Sequence, residues 1–331
     1  MYIMCKKTLH ASSQCAPSEV LFLFRGNLMS LRIYSKPPQT LDQQAQLLIS
    51  RGLKDVSKDE LVEVLSRISY YRLRGYTYPY QDNTSSNSEF LPTASWSSIK
   101  NDYLFDSALR NLIVEALGFI EIAVRCQMEY QLSIAHGPRW YEDVSLCHNQ
   151  KIFNDNLVEL RKHWSRSREV FKTHYESEYD SSIAPPAWMI FETTTFGTLS
   201  KTFSNLKSNL NAKTEVAKYF GFNKASTKVL VSWFQHLNLV RNICAHYSRL
   251  FTRSFIVRPM IPTNKPAKWV DSIPSQDRIY FSICIITTLL DVCAPNYDFR
   301  GKLKQVMKMV RPEQLPSLGF PENWEEQDLF A

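Results

Sequence analysis

The run Leu237-Asn-Leu-Val-Arg241-Asn242-Ile-Cys-Ala-His246-Tyr247-Ser-Arg249 holds residue types able to act on a phosphate diester. A guanidinium stays charged and grips two phosphate oxygens in a fork. An imidazole titrates near neutrality and serves as proton donor or acceptor. Metal-free cleavage of RNA asks for such groups. A base takes the proton from the ribose 2′-OH as it attacks the adjacent phosphorus. An acid protonates the leaving 5′-oxygen, and a cation stabilises the pentacoordinate phosphorane. An arginine followed by a histidine after four to six residues is a loose pattern, since Arg168 and His174 satisfy it too. The Arg241 copy differs in its company: Asn242 follows the arginine, Ala245 precedes the histidine, and Arg249 extends the series.

Neither Gly nor Pro interrupts Val229 to Arg258, so one long helix is predicted through the region. At about 100° per residue from Asn238, the residues Asn242, Ala245, His246, Arg249 and Arg253 fall within about 80°, and Arg241 lies about 60° the other way. Leu239, Val240, Ile243, Cys244, Tyr247, Leu250 and Phe251 fill the opposite, core-facing side. A merely solvated face more often carries Lys and Glu. One helix supplies one histidine, which serves poorly for both proton transfers, so the chemistry asks for a homodimer with a composite site. The other reading of the same residues is a helix whose His and Arg hold neighbouring helices by hydrogen bonds. The helix alone leaves both open.

The rest of the chain must position this segment. With 331 residues, 9 glycines and apolar residues at helical spacing, an all-α fold is expected. The net charge of +7 permits an anionic partner without requiring one. Seven scattered cysteines include no C-x-x-C pair, which argues against a disulfide framework or zinc site and fits a reducing cytosol. There is no Gly-rich phosphate loop, and no cofactor or metal is expected. Val20–Phe24 is too short for a signal-peptide core, and no run approaches the roughly 18 residues of a membrane span. A cytoplasmic protein is expected.

Residues 1–28 lack any period and read as a non-native or disordered extension, with Met29 as the natural start. Helices are predicted over Leu41–Ser50, stopped by Gly52, and from the capping box Ser57-Lys-Asp-Glu60 through Ile68. The stretch Ser69–Tyr80 interleaves Tyr with Arg72 and Arg74, which could stack on and grip RNA or simply pack on the body. A long helix runs from Trp96 to about Ala135 with Leu109, Leu112, Ile113, Leu117, Ile120 and Val124 buried, and Glu121 and Arg125 stand four apart on it. Arg161, Lys162, Arg166, Arg168 and Lys172 form the densest basic cluster, normally a solvated face, with contact to a nucleic-acid backbone the alternative. Pro185-Pro186 opens a helix predicted over Ala187–Leu206, on which Glu192 lies among apolar residues and needs a cationic partner, with Arg241 a candidate. Further helices are expected near Thr214–Phe220, Gln276–Val292 and Arg300–Val310. The expected organisation is an N-terminal helical region (29–92), a helical core (93–258), and C-terminal helices with a tail (259–331).

Four ordered stretches carry a resemblance: Tyr34-Ser-Lys-Pro-Pro38, Ile68-Ser-Tyr-Tyr-Arg-Leu-Arg-Gly-Tyr76, Pro185-Pro-Ala-Trp-Met-Ile-Phe-Glu192 continuing into Phe196-Gly-Thr-Leu-Ser200, and Leu239–Arg249. With Phe105-Asp106 through Arg125 they cover about residues 34–258. The chain resembles the abortive-infection AbiD/AbiF-like family of the HEPN superfamily. The resemblance implies a HEPN-type helical bundle with additional N- and C-terminal helices, acting in phage defence as a toxin-like, metal-independent endoribonuclease that works as a dimer. It implies Arg241 and His246 as the catalytic pair with Asn242 beside them. Arg249, Asn238, Arg253, Glu192, Arg72 and Arg74 are candidate RNA-binding or supporting residues. Tyr247 stands where a second histidine is common, and Phe251-Thr252 where Trp-Asn is common. The partners to expect are RNA, a second copy, and a regulatory small RNA or antitoxin, with no membrane. A non-cleaving RNA-binding protein and a HEPN scaffold remain alternatives.

Overall fold

Each of Ser57, Ser69, Ser95, Asn149, Thr195 and Asp298 closes a loop and opens a helix, its side-chain oxygen accepting a backbone N–H three residues on. These caps satisfy donors that a helix start leaves unpaired. A computed structural model describes residues 35–84, 87–180 and 182–331. The expectations for residues 1–28, Met29 and Tyr34 lie outside the described residues. The chain divides into Met1–Thr40 and Leu41–Ala331. Of the first unit, Ser35–Thr40 have no regular secondary structure.

The second unit is all-α. In chain order its helices are α1 (Leu41–Ser50), α2 (Lys58–Arg67), α3 (Tyr70–Thr77), α4 (Trp96–His136), α5 (Gln150–Arg166), α6 (Val170–Glu178), α7 (Ala187–Ile190), α8 (Phe196–Asn205), α9 (Asn211–Tyr219), α10 (Thr227–Ala245), α11 (Ile279–Cys293), α12 (Phe299–Met307) and α13 (Leu315–Leu318). No β-strand occurs among the described residues. None of these helices is long and apolar enough to cross a membrane.

The 41-residue α4 is the axle. Its predicted stripe Leu109, Leu112, Ile113, Leu117, Ile120 and Val124 is buried, and α9, α10, α11 and α12 all pack on it. From Ile279 to Leu290 every residue of α11 is buried, so this helix runs through the core rather than over it. His236 of α10 ties the two together. Its Nδ1–H donates to the Val257 carbonyl (2.7 Å), which leaves Nε2 to accept from the Ser282 hydroxyl of α11 (2.7 Å).

Two predicted helices are corrected. Ala187–Leu206 is not continuous: α7 passes into a 3-10 turn over Phe191–Thr193 and stops before α8 begins at Phe196. Thr193-Thr194-Thr195 breaks it, since Thr193 Oγ1 bonds back to the Ile190 carbonyl and Thr195 caps α8. The second predicted helix, Val229–Arg258, ends at Ala245 for reasons that belong to the site.

Candidate nucleic-acid interface at the end of the tenth helix

The end of α10 is a Schellman closure without glycine. Tyr247 N–H donates to the Cys244 carbonyl and Ser248 N–H to the Ile243 carbonyl, with His246 as the C-cap. Tyr247 therefore sits in the left-handed region (φ 53°) that such ends normally give to glycine. The turn directs Leu250 and Phe251 into the core, where Phe251 meets the edge of Phe105. It turns Tyr247 outward, 65% exposed, against the expectation that it faces the core.

A buried carboxylate holds this turn. Asp106 Oδ1 accepts the N–H groups of Leu250 (3.0 Å) and Phe251 (2.7 Å). Its Oδ2 accepts the Tyr76 hydroxyl (2.5 Å) and an Arg110 N–H. Arg110 supplies the counter-charge that a buried carboxylate demands, although its own Nε is buried without a partner. Against the Asp106 carboxylate, burial pushes the Tyr76 hydroxyl far above its ordinary range.

The arginines beyond the helix end also serve the turn. Arg249 Nη1 donates to the Gly75 carbonyl (2.8 Å) and to Thr252 Oγ1 (3.0 Å), and Arg72 donates to the Tyr247 carbonyl. A Cβ at Gly75 would stand 3.3 Å from Arg249 Cδ, so the glycine lets the guanidinium approach the α3 backbone. Arg253 donates to the Arg249 carbonyl (3.2 Å). Arg249 and Arg253 thus lie off the α10 face on which an unbroken helix would have placed them. Arg74 stands half-buried on α3.

What remains on α10 is Asn238, Arg241, Asn242, Ala245 and His246. Asn242, Ala245 and His246 are exposed, and Asn238 and Arg241 half-buried. Asn238 lies against α8, close enough that a Cβ at Gly197 would come 3.2 Å from its Oδ1. Arg241 leans towards α4, its Nε 3.8 Å from Glu121 Oε2. Five residues turn an ideal helix so that Arg241 and His246 point about 140° apart.

Glu192 does not meet Arg241. It is exposed rather than buried, because the break after α7 turns it outward, and it lies 3.5 Å from Arg125 Nη1. Arg125 in turn stands 3.3 Å from Glu121 Oε1 and donates to the Thr194 carbonyl (3.3 Å). Burial raises the Glu121 carboxyl above its ordinary value against the pull of Arg241 and Arg125. About two turns further along α4, burial and then the Glu192 charge push Glu129 up to about 8. Of the basic cluster, Arg161, Lys162 and Lys172 each have a carboxylate partner, in Glu142, Glu159 and Glu176. Among the described residues no group of three His, Cys, Asp or Glu side chains is placed to hold a metal ion.

Asp106, Arg110, Tyr76 and His236 were not singled out as candidates from the sequence. One signal was available: Asp106 and Arg110, four apart, interrupt the buried stripe of a long helix, and charges there must be paired.

The molecule is thus an all-α protein in which an axial helix and a buried carboxylate present an Arg-Asn-His helix end to solvent. The family model for Abi-like proteins matches residues 63–252, more than half of the chain. The chain belongs to the Abi-like family, and that membership points to abortive-infection defence against phage. The match takes in Tyr76, Asp106, Arg110, Glu121, Arg125, Glu192 and α10 through the held turn. No curated protein and no solved structure matches it.

Proposed function

We propose that this protein is an abortive-infection effector that cuts RNA by attack of the ribose 2′-OH, without a metal, at a HEPN-type site shared by two copies. One observation supports the reading above the others. His246 and Asn242 stand exposed at the helix end, and among the described residues their side chains have no hydrogen-bond partner in the chain. Histidines that serve to hold helices together look like His236, buried with both nitrogens bonded. His246 is built unlike it.

In this reading Arg241 grips the phosphate oxygens and stabilises the phosphorane, Asn242 binds phosphate or orients the ring, and His246 transfers a proton. The divergence of Arg241 and His246 on one helix favours a composite site, in which the Arg241 of one copy works beside the histidine of the other. Paired histidines of this kind titrate as a unit. RNA is the substrate, and a small RNA or antitoxin that covers the helix ends would silence the protein.

RNA cleavage in excess EDTA, wild type against His246→Ala, tests the reading. Expected are products with 2′,3′-cyclic phosphate or 3′-phosphate and 5′-hydroxyl ends from the wild type alone. A folded, dimeric wild type that leaves total cellular and phage RNA intact overturns it. Retained RNA binding with a steep salt dependence would then favour a non-cleaving RNA-binding protein.

A further inference from the structure

Arg241 is a long, half-exposed side chain, and a guanidinium stabilises a transition state only if held in place beforehand. Its neighbour on α4 supplies the hold. The Glu121 side chain is 15% exposed and sits between two guanidiniums, Arg125 on Oε1 at 3.3 Å and Arg241 on Oε2 at 3.8 Å. Arg125 is itself fixed by the Thr194 carbonyl at 3.3 Å and by Glu192 at 3.5 Å, and His163 Nδ1 lies 3.3 Å from the Thr194 hydroxyl. The series runs from the break between α7 and α8, through α4, to the arginine of α10. Glu121 meets Arg241 through Nε, which leaves both terminal amino groups of that guanidinium for a ligand.

We propose that Glu121, locked by Arg125, is a positioning residue that aims the Arg241 guanidinium at the scissile phosphate. This rests on the ribonuclease reading above. A carboxylate beside an anion site disfavours binding through its charge, so its place there fits orientation and not affinity. Two signs follow. Loss of the Glu121 charge slows the chemical step, and it leaves RNA affinity equal or tighter.

The test uses the full-length protein and the isosteric variant Glu121→Gln, which can still accept a hydrogen bond from Arg125. Single-turnover cleavage and affinity for a 2′-O-methyl RNA, which cannot be cut by 2′-OH attack, are measured side by side. Expected is a fall in the cleavage rate of about ten- to a hundredfold, the scale of a small misplacement of a catalytic group. The dissociation constant should stay the same or decrease. On an Arg241→Ala background the same substitution should cost nothing further, because it acts through the group already removed. Equal cleavage by Glu121→Gln and wild type overturns the inference and leaves the ribonuclease reading standing. So does an additive loss in the double variant. Weaker RNA binding by a folded Glu121→Gln also overturns it, by making Glu121 a support of the binding surface. A wild type that does not cleave overturns both readings together. Should Glu121→Gln fold poorly, Glu121→Asp, which keeps the charge one methylene short, must show the same fall in rate at unchanged affinity.

Discussion

Tyr247 and Thr252 both carry local strain at the site, each at positive φ (53° and 54°), and Tyr247 is the one at the helix end. A non-glycine residue in the left-handed region costs roughly 1–2 kcal/mol, and here it is held by two closing hydrogen bonds and by Arg72 on its carbonyl. Substitution by glycine should remove that cost, part of it offset by the entropy glycine loses on folding. Tyr247→Gly is therefore expected to be more stable than Tyr247→Ala by about 1 kcal/mol. Denaturant unfolding of the two variants checks this, and an alanine variant as stable as the glycine variant would remove the claim of strain. The comparison separates backbone cost from the lost side chain, because both variants lose the ring.

At the residue scale the sequence marks out candidates, not their chemistry. Arg241, Asn242 and His246 needed only their types and spacing to stand out. Their use could not be read there, because the same spacing serves for helix-to-helix hydrogen bonding. The two histidines differ in setting: His236 is enclosed and doubly bonded, and His246 faces solvent.

At the scale of elements, what could be read followed from local causes. Gly52 and Gly137, both at positive φ, stop α1 and α4 where their sequences predict, and Ser57 starts α2. The end of α10 was hidden, since nothing in Val229–Arg258 breaks a helix. Its cause is Asp106, 144 residues from the Leu250 N–H that it binds. Arg249 and Arg253 were placed on the wrong face for the same reason.

Asp106 therefore admits a sharp prediction. Asp106→Ala leaves Arg110 as a buried charge without its counter-ion and frees two backbone N–H groups and a tyrosine hydroxyl. A loss of about 3–5 kcal/mol in unfolding free energy is expected. Limited proteolysis should find new cleavage between Tyr247 and Thr252 before global unfolding. A variant within 1 kcal/mol of wild type, by the scale of an ordinary surface change, would show that Asp106 does not hold the turn.

For the whole molecule, the join between α10 and α11 makes stability depend on acid. Burial lowers the His236 imidazole from 6.5 to about 4, opposed only by its bond to the Val257 carbonyl. Between those values the unfolded chain binds the extra proton and the folded chain does not. Stability thus rises with pH through that window and falls as the pH drops from about 6.5 towards 4. The expected loss between pH 7 and 4.5 is roughly 2–2.5 kcal/mol. Denaturant unfolding at pH 7 and 4.5 measures it, and His236→Asn should flatten that part of the profile. An unchanged slope in the variant would assign the acid sensitivity elsewhere.

The bond from His236 to Ser282 also sets an order in which this region is completed as the chain is made. A chain on the ribosome has completed Arg241, Asn242 and His246 long before Ser282 emerges. Until α11 threads the core, α10 has α4 and α8 to pack on but lacks the bond that fixes its middle. Fragments ending before Ser282 therefore carry Arg241, Asn242 and His246, with Glu121 and Arg125 beside them, but lack the bond that ties α10 to α11.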